Sequence, residues 1–238
     1  SLHDALPISD NYYICSLERT LSAARLYHMD PPLSVLFPDA ASRTRRTDFD
    51  CHILPKNIVP ESFIKLTDDL YIICPELAFI LAARYMSIAE LVNLANDFCA
   101  IYRVDDISLL GQSGRKQITD IKRMSAYIRH TGNAYGISKA RQAIKYALDC
   151  SNSPKESNLA TIFRLPFSIG GASIADICLN NTIRLSHKAA DYLGRDTCCC
   201  DICSTRVKTV VEYDSNLTHL NRSQRHYDKQ RSTALQMS

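Results

Sequence analysis

The stretch DICSTRVKTVVEYDSNLTHLNRSQRHYDKQR, Asp201–Arg231, decides how the chain is read. Val210, Val211 and Tyr213 are strand formers. Side chains alternate along a strand, so Glu212 and Asp214 point one way while Val211 and Tyr213 point the other. Upstream, Cys198 to Cys203 reads as a second strand, and the polar run Ser204 to Lys208 supplies the turn. With that turn centred between Arg206 and Val207, Asp201 falls opposite Glu212, and opposed residues project from one face about 5 Å apart at Cβ. The hairpin thus gathers Asp201, Glu212 and Asp214 into one acidic patch. Like charges this close repel unless a proton or cation intervenes, and Mg²⁺ is the economical cation because it takes carboxylate oxygens and keeps waters. A solvated polar strand face accounts for the same residues without chemistry.

His219 follows, then a helical stretch from about Asn221 to Leu235 carrying Arg222, Arg225, His226, Asp228, Lys229 and Arg231. Residues 204–231 hold six Lys or Arg and three acids, a net charge of +3 that equals the formal charge of the whole chain. A basic helix beside an acidic pocket suits a polyanion whose phosphate sits on a metal. An ordinary solvated helix face is the plain alternative.

Taken together, Asp201, Val211-Glu212-Tyr213-Asp214-Ser215, His219, Asp228 and Arg231 resemble the hairpin core of a family of endonuclease domains. That family is related to very-short-patch repair endonucleases, within the PD-(D/E)xK nuclease superfamily. Ser153-Pro154-Lys155-Glu156, followed by LATIFRLPFSIGG and Asn180, resembles the family's opening helix, whose glutamate completes the metal site. The resemblance spans about Lys139 to Ala234. It implies a restriction-endonuclease-like mixed sheet flanked by helices, Mg²⁺ or Mn²⁺ as cofactor and DNA as partner. Asp201, Glu212 and Glu156 would be the metal ligands, Asp214 and His219 further catalytic groups, and Arg222, Arg225, Lys229 and Arg231 the phosphate contacts. The superfamily's lysine is missing two residues after Glu212, where Asp214 stands, so the proton-transfer group is open. His219 suits a relay by its ordinary pKa, and a surface histidine equally. Asp228 with Arg231 also reads as a helix pair at i, i+3.

Length and composition narrow the field. At 238 residues the chain holds one large domain or two small ones, and 46% apolar with 22% charged residues is the balance of a soluble globular protein. No run approaches the roughly 20 apolar residues of a membrane helix. Ten cysteines in a chain of this size do not make a disulfide scaffold, and Ser1 to Asp10 lacks the features of a signal peptide, so a reducing cytoplasmic setting is expected. Cys200 and Cys203 form one CxxC with no second pair at zinc spacing, which argues against a structural zinc. Residues 1–10 read as a non-native leader, and an end at Ser238 implies a nuclease core cut short.

Elsewhere the elements read as follows. Leu17, Leu21 and Ala24 lie at helical spacing, Asp30-Pro31-Pro32 breaks that helix, and Leu33–Phe37 is a buried strand. Arg43, Arg45 and Arg46 sit in a polar loop whose acids Asp48 and Asp50 follow at once. His52–Leu54 and Leu70–Cys74 are strand candidates. Helices begin at Pro75 and after Ser87, the latter with a Glu90 capping box. Gly111 to Gly114 marks a loop without the spacing of a phosphate loop. Further helices fall on Ile118–Ile128 and Ile137–Leu148. Ser153, Pro154 and Glu156 make another capping box, with Leu159, Ile162 and Phe163 inward, so Glu156 suits either a cap or a metal site. Ile183–Leu185 pairs as the first strand of the sheet.

The expected architecture is α/β in the α+β sense: a helix-rich region over 11–135 followed by an endonuclease-like domain over 136–238. The expected function is metal-dependent hydrolysis of DNA. A DNA-binding regulator, similar to an abortive-infection antitoxin in its first half, or a remnant without activity, is the alternative.

Overall fold

The structure, a computed structural model, describes residues 21–22, 30–54, 59–65, 71–104, 112–213 and 222–238, leaving aside the side chains at 60, 112, 113 and 222–228. Seven α-helices and nine β-strands lie among the described residues, a mixed α+β chain. It divides into two compact units, residues 1–84 with 126–138 and residues 85–125 with 139–238.

In the first unit, β1 (Leu33–Phe37) pairs in parallel with β2 (Phe49–Ile53), and β3 (Phe63–Lys65) pairs antiparallel with β4 (Tyr71–Ile73). Helix α1 (Pro75–Ala82) starts on a proline, which loses nothing there because a first-turn N–H has no helical partner. Cys74 and Leu77 pack with Leu36, Phe63, Ile73 and Tyr127. Gly136 is required at φ +93, since a Cβ there would lie 3.1 Å from the Ile80 carbonyl.

The chain continues through α2 (Ile88–Phe98), β5 (Tyr102–Val104), β6 (Gln112–Gly114), α3 (Ile121–His130), α4 (Ile137–Ala143) and α5 (Pro154–Arg164). The sheet then forms from β7 (Cys178–Arg184), β8 (Thr197–Ser204) and β9 (Thr209–Val211), with α6 (His187–Leu193) between β7 and β8 and α7 (Arg222–Gln236) after β9. Leu179, Ile202 and Val211 pack against Ala160 of α5, while Ala234 of α7 packs with Leu185, Ala189 and Cys198. Asn96, fully buried in α2, fixes α5 by donating to the Ser157 carbonyl at 3.2 Å and to Thr161 Oγ1 at 3.0 Å. Its own oxygen accepts from Leu148 N at 2.7 Å, so no polar atom of this amide is left bare.

Several expectations need correction. Gln112–Gly114 is a strand paired with Tyr102–Val104, not a loop: backbone pairing decides it, where the side chains carry no strand pattern. The helix expected over Ile137–Leu148 stops at Ala143. The inward stripe of α5 is rotated, with Ile162 51% exposed and Glu156, Ser157, Ala160 and Thr161 buried. The first strand of the sheet begins at Cys178 rather than Ile183, and the sheet is antiparallel throughout among the described residues: the connection through α6 reverses β7 into β8, and the polar turn at 205–208 reverses β8 into β9. Phe63–Lys65, without a strand pattern in its sequence, is a strand through its antiparallel pairing with β4. The expected helix over Leu17–Ala24 and the leader at 1–10 lie outside the described residues, apart from Leu21 and Ser22. No described helix is long and apolar enough to cross a membrane.

Candidate functional site

The hairpin has the register that the turn dictates. Ile202 faces Val211, Cys203 faces Val210 and Ser204 faces Thr209, so one step further Asp201 stands opposite Glu212. Tyr213 N donates to Asp201 Oδ2 at 2.8 Å, which ties the strand ends together at the two acids. On the other side of β8, the flanking pairs Leu179 with Ile202 and Asn181 with Cys200 put Asn180 opposite Asp201. Asn180 has φ +46, the left-handed region that asparagine tolerates better than most residues.

Glu156 joins this line from the first turn of α5. It is 5% exposed, and its Oε2 accepts from Asn152 N at 2.9 Å and from Asn180 Nδ2 at 2.5 Å. Oε1 accepts from Ser153 Oγ at 2.9 Å. The expected capping box is therefore only half made: Ser153 Oγ caps Glu156 N at 3.2 Å, but the carboxylate turns to Asn152 and Asn180 instead of the Ser153 backbone. Burial raises the Glu156 pKa above the usual carboxylate range, against the pull of its hydrogen bonds, and the charge of Asp201 adds to the rise.

Glu212 is the most perturbed acid of the group. Burial first, then the charge of Asp201, pushes it up to about 7, with Glu156 contributing in the same direction. Arg231 and the Asp201 backbone pull the other way. Arg231 of α7 donates through Nη2 to Glu212 Oε2, while Oε1 is buried with no hydrogen-bond partner among the described residues. Arg231, expected on phosphates, thus faces a carboxylate.

Lys229 is exposed on α7. Asp214 and His219 lie outside the described residues, as do the side chains of Arg222, Arg225 and Asp228. Sequence reasoning missed the Arg231–Glu212 pair and the tether from Asn180 to Glu156. Neither spacing carries a periodic signal that would have found them.

Among the described residues no group of three His, Cys, Asp or Glu is disposed to hold a metal ion. The donor chemistry divides. Glu156 accepts one hydrogen bond on Oε1 and two on Oε2, and it forms no such three-ligand group with Asp201 and Glu212. Asp201 and Glu212 fit as a pair, since Glu212 Oε1 has no partner among the described residues and Mg²⁺ is commonly held by one or two carboxylates with water and substrate phosphate completing the shell. Comparison with known proteins gives no match to any family model, curated protein or solved structure.

Proposed function

We propose that the chain is a metal-dependent endonuclease that hydrolyses DNA phosphodiester bonds at Asp201 and Glu212. The observation that carries this reading is Glu212: a half-buried carboxylate with one oxygen unpartnered among the described residues, raised to about 7 chiefly by burial and Asp201. Strongly perturbed acids of this kind concentrate at functional sites. The order of elements supports it too: a helix bearing Glu156, a strand bearing Asp201, a third strand running into Glu212, then a basic helix, as the resemblance to the PD-(D/E)xK superfamily implies.

In this reading Asp201 and Glu212 would hold Mg²⁺ or Mn²⁺. When bound, such an ion lowers the pKa of a water and neutralises charge on the scissile phosphate. Glu156 acts differently from the expectation: through Asn180 and the Asn152 backbone it fixes the α5 N-terminus beside Asp201. Arg231 holds Glu212 in one orientation and supplies a fixed positive charge at the edge of the site. Asp214, His219, Arg222, Arg225 and Lys229 keep the proposed roles of outer acid, proton relay and phosphate contacts.

A binding protein without cleavage is the second reading, favoured by the three hydrogen bonds that Glu156 accepts and by Arg231 already paired with Glu212. Glu212→Gln separates the two. The endonuclease reading expects Mg²⁺-dependent nicking of plasmid DNA by the parent chain and its loss in this variant, with DNA affinity in a gel-shift assay unchanged. DNA binding with no nicking by the parent chain in Mg²⁺ or Mn²⁺ establishes the second reading instead.

A further inference from the structure

Two positions along the sheet from Asn180 and Asp201, a pair of thiols faces itself. Cys178 on β7 and Cys203 on β8 are direct register partners, and their Sγ atoms stand 3.3 Å apart. We propose that Cys178 and Cys203 are a modification site, converted to a cross-strand disulfide by low-molecular-weight disulfides of the oxidised-glutathione class. Opposed residues of an antiparallel pair have Cα atoms about 4.5 or 5.5 Å apart. Both spacings lie in the range of roughly 4.4–6.8 Å that a disulfide spans. Closing the sulfurs to a bond of about 2 Å therefore asks for side-chain rotation and not for a new strand register.

The sheet singles out this pair. Cys198, Cys199 and Cys200 face Ile183, Thr182 and Asn181, so no other cysteine of β8 has a cysteine opposite it on β7. Accessibility sets the order of events. Cys178 is partly exposed, whereas Cys203 is 2% exposed. The incoming reagent therefore meets Cys178 first. The Cys178 thiolate attacks one sulfur of the reagent, whose S–S bond breaks and releases one thiolate with the bonding electron pair. Cys203 gives its proton to water and its thiolate attacks Cys178 Sγ, expelling the second thiolate, and the two released thiolates take up protons from water. Two cysteine thiols become one disulfide, and the reagent leaves as two reduced thiols.

Burial pushes the Cys178 thiol up to about 11, so its thiolate is scarce at neutral pH and the exchange quickens as pH rises. Once formed, the bond fixes β7 to β8 beside the residues that present Asn180 and Asp201. The site does not depend on the nuclease reading.

The test uses the full chain equilibrated with oxidised glutathione at mildly alkaline pH. The titratable thiol count should fall by two, peptide mapping should locate a Cys178–Cys203 bond, and the thermal midpoint should rise and return on adding dithiothreitol. Cys178→Ser, at a partly exposed position, should keep the reduced parent's midpoint and circular dichroism while forming no internal bond. An unchanged thiol count overturns the proposal. So does a bond mapped to any other pair, a stable glutathione adduct on Cys178 alone, or an unmoved midpoint.

Discussion

Two helices open on the same four-residue pattern, Ser87-Ile88-Ala89-Glu90 in α2 and Ser153-Pro154-Lys155-Glu156 in α5, yet their glutamates end in opposite electrostatic states. In α2 the box closes on itself. Glu90 Oε2 accepts from Ser87 N at 2.7 Å and Ser87 Oγ accepts from Glu90 N at 3.3 Å; the hydrogen bond from the Ser87 backbone, with its side chain in support, holds the exposed carboxyl below its ordinary value. In α5 the serine caps as before, but the carboxylate is buried, turns to Asn180, and rises. The motif decides where a helix begins; what lies beyond its first turn decides what the acid does there.

Removing each glutamate is the hardest test of that contrast. Glu156→Ala strips partners from Asn180, the Ser153 hydroxyl and Asn152 N at once, and should cost about 3 kcal/mol, the order of one or two charge-assisted hydrogen bonds left unmade. Glu90→Ala should barely move the urea midpoint, since water replaces what the exposed carboxyl supplied. Equal losses in the two variants would erase the distinction.

Titration gives a smaller effect with a definite sign. Glu212 has its folded pKa raised from 4.5 to about 7, so the folded chain holds this proton more tightly than the unfolded one. Its stabilising contribution is complete below 4.5 and is lost as pH rises through about 7. For a half-buried group, about 1–2 kcal/mol is expected after allowance for solvent screening. Glu156 contributes with the same sign, and Glu90, whose value is lowered, with the opposite sign: its contribution is lost as pH falls below the ordinary carboxylate range. Unfolding free energies measured across this pH window should slope downward in the parent chain and flatten in Glu212→Gln.

Asn180→Gly makes the smallest change. Glycine adopts the left-handed backbone freely but removes an amide that donates both to Glu156 and to the Cys150 carbonyl, so a net loss of about 1 kcal/mol is expected, two hydrogen bonds less the backbone strain relieved. Urea unfolding reads the loss, and the Glu156 carboxyl should titrate higher by NMR once one of its donors is gone.

The sequence carried the hairpin well because its turn is short: a polar segment between two apolar runs fixes the centre, and the centre fixes Asp201 opposite Glu212. It carried the helix starts at Pro75, Ser87 and Ser153 for a similarly local reason, a cap within four residues. What stayed hidden depends on distant partners. β6 has no strand-forming side chains and exists by pairing with β5. The true start of β7 at Cys178, and with it the Cys178–Cys203 pairing, has no alternation to announce it across Leu179, Asn180 and Asn181. Arg231 lay on an evidently basic helix, and only the docking of α7 through Ala234 turns it to Glu212.

Asn180 answers two demands with one residue: a backbone turned to the unusual hand and an amide that reaches Glu156. Valine or threonine, the ordinary tenants of a strand, satisfy neither, so exchange at this position is confined to asparagine and, at the expense of the tether, glycine or aspartate. Any chain that shares this arrangement should therefore betray it by a small polar residue or glycine midway between a helical glutamate and a strand aspartate, even where little else in the two sequences agrees.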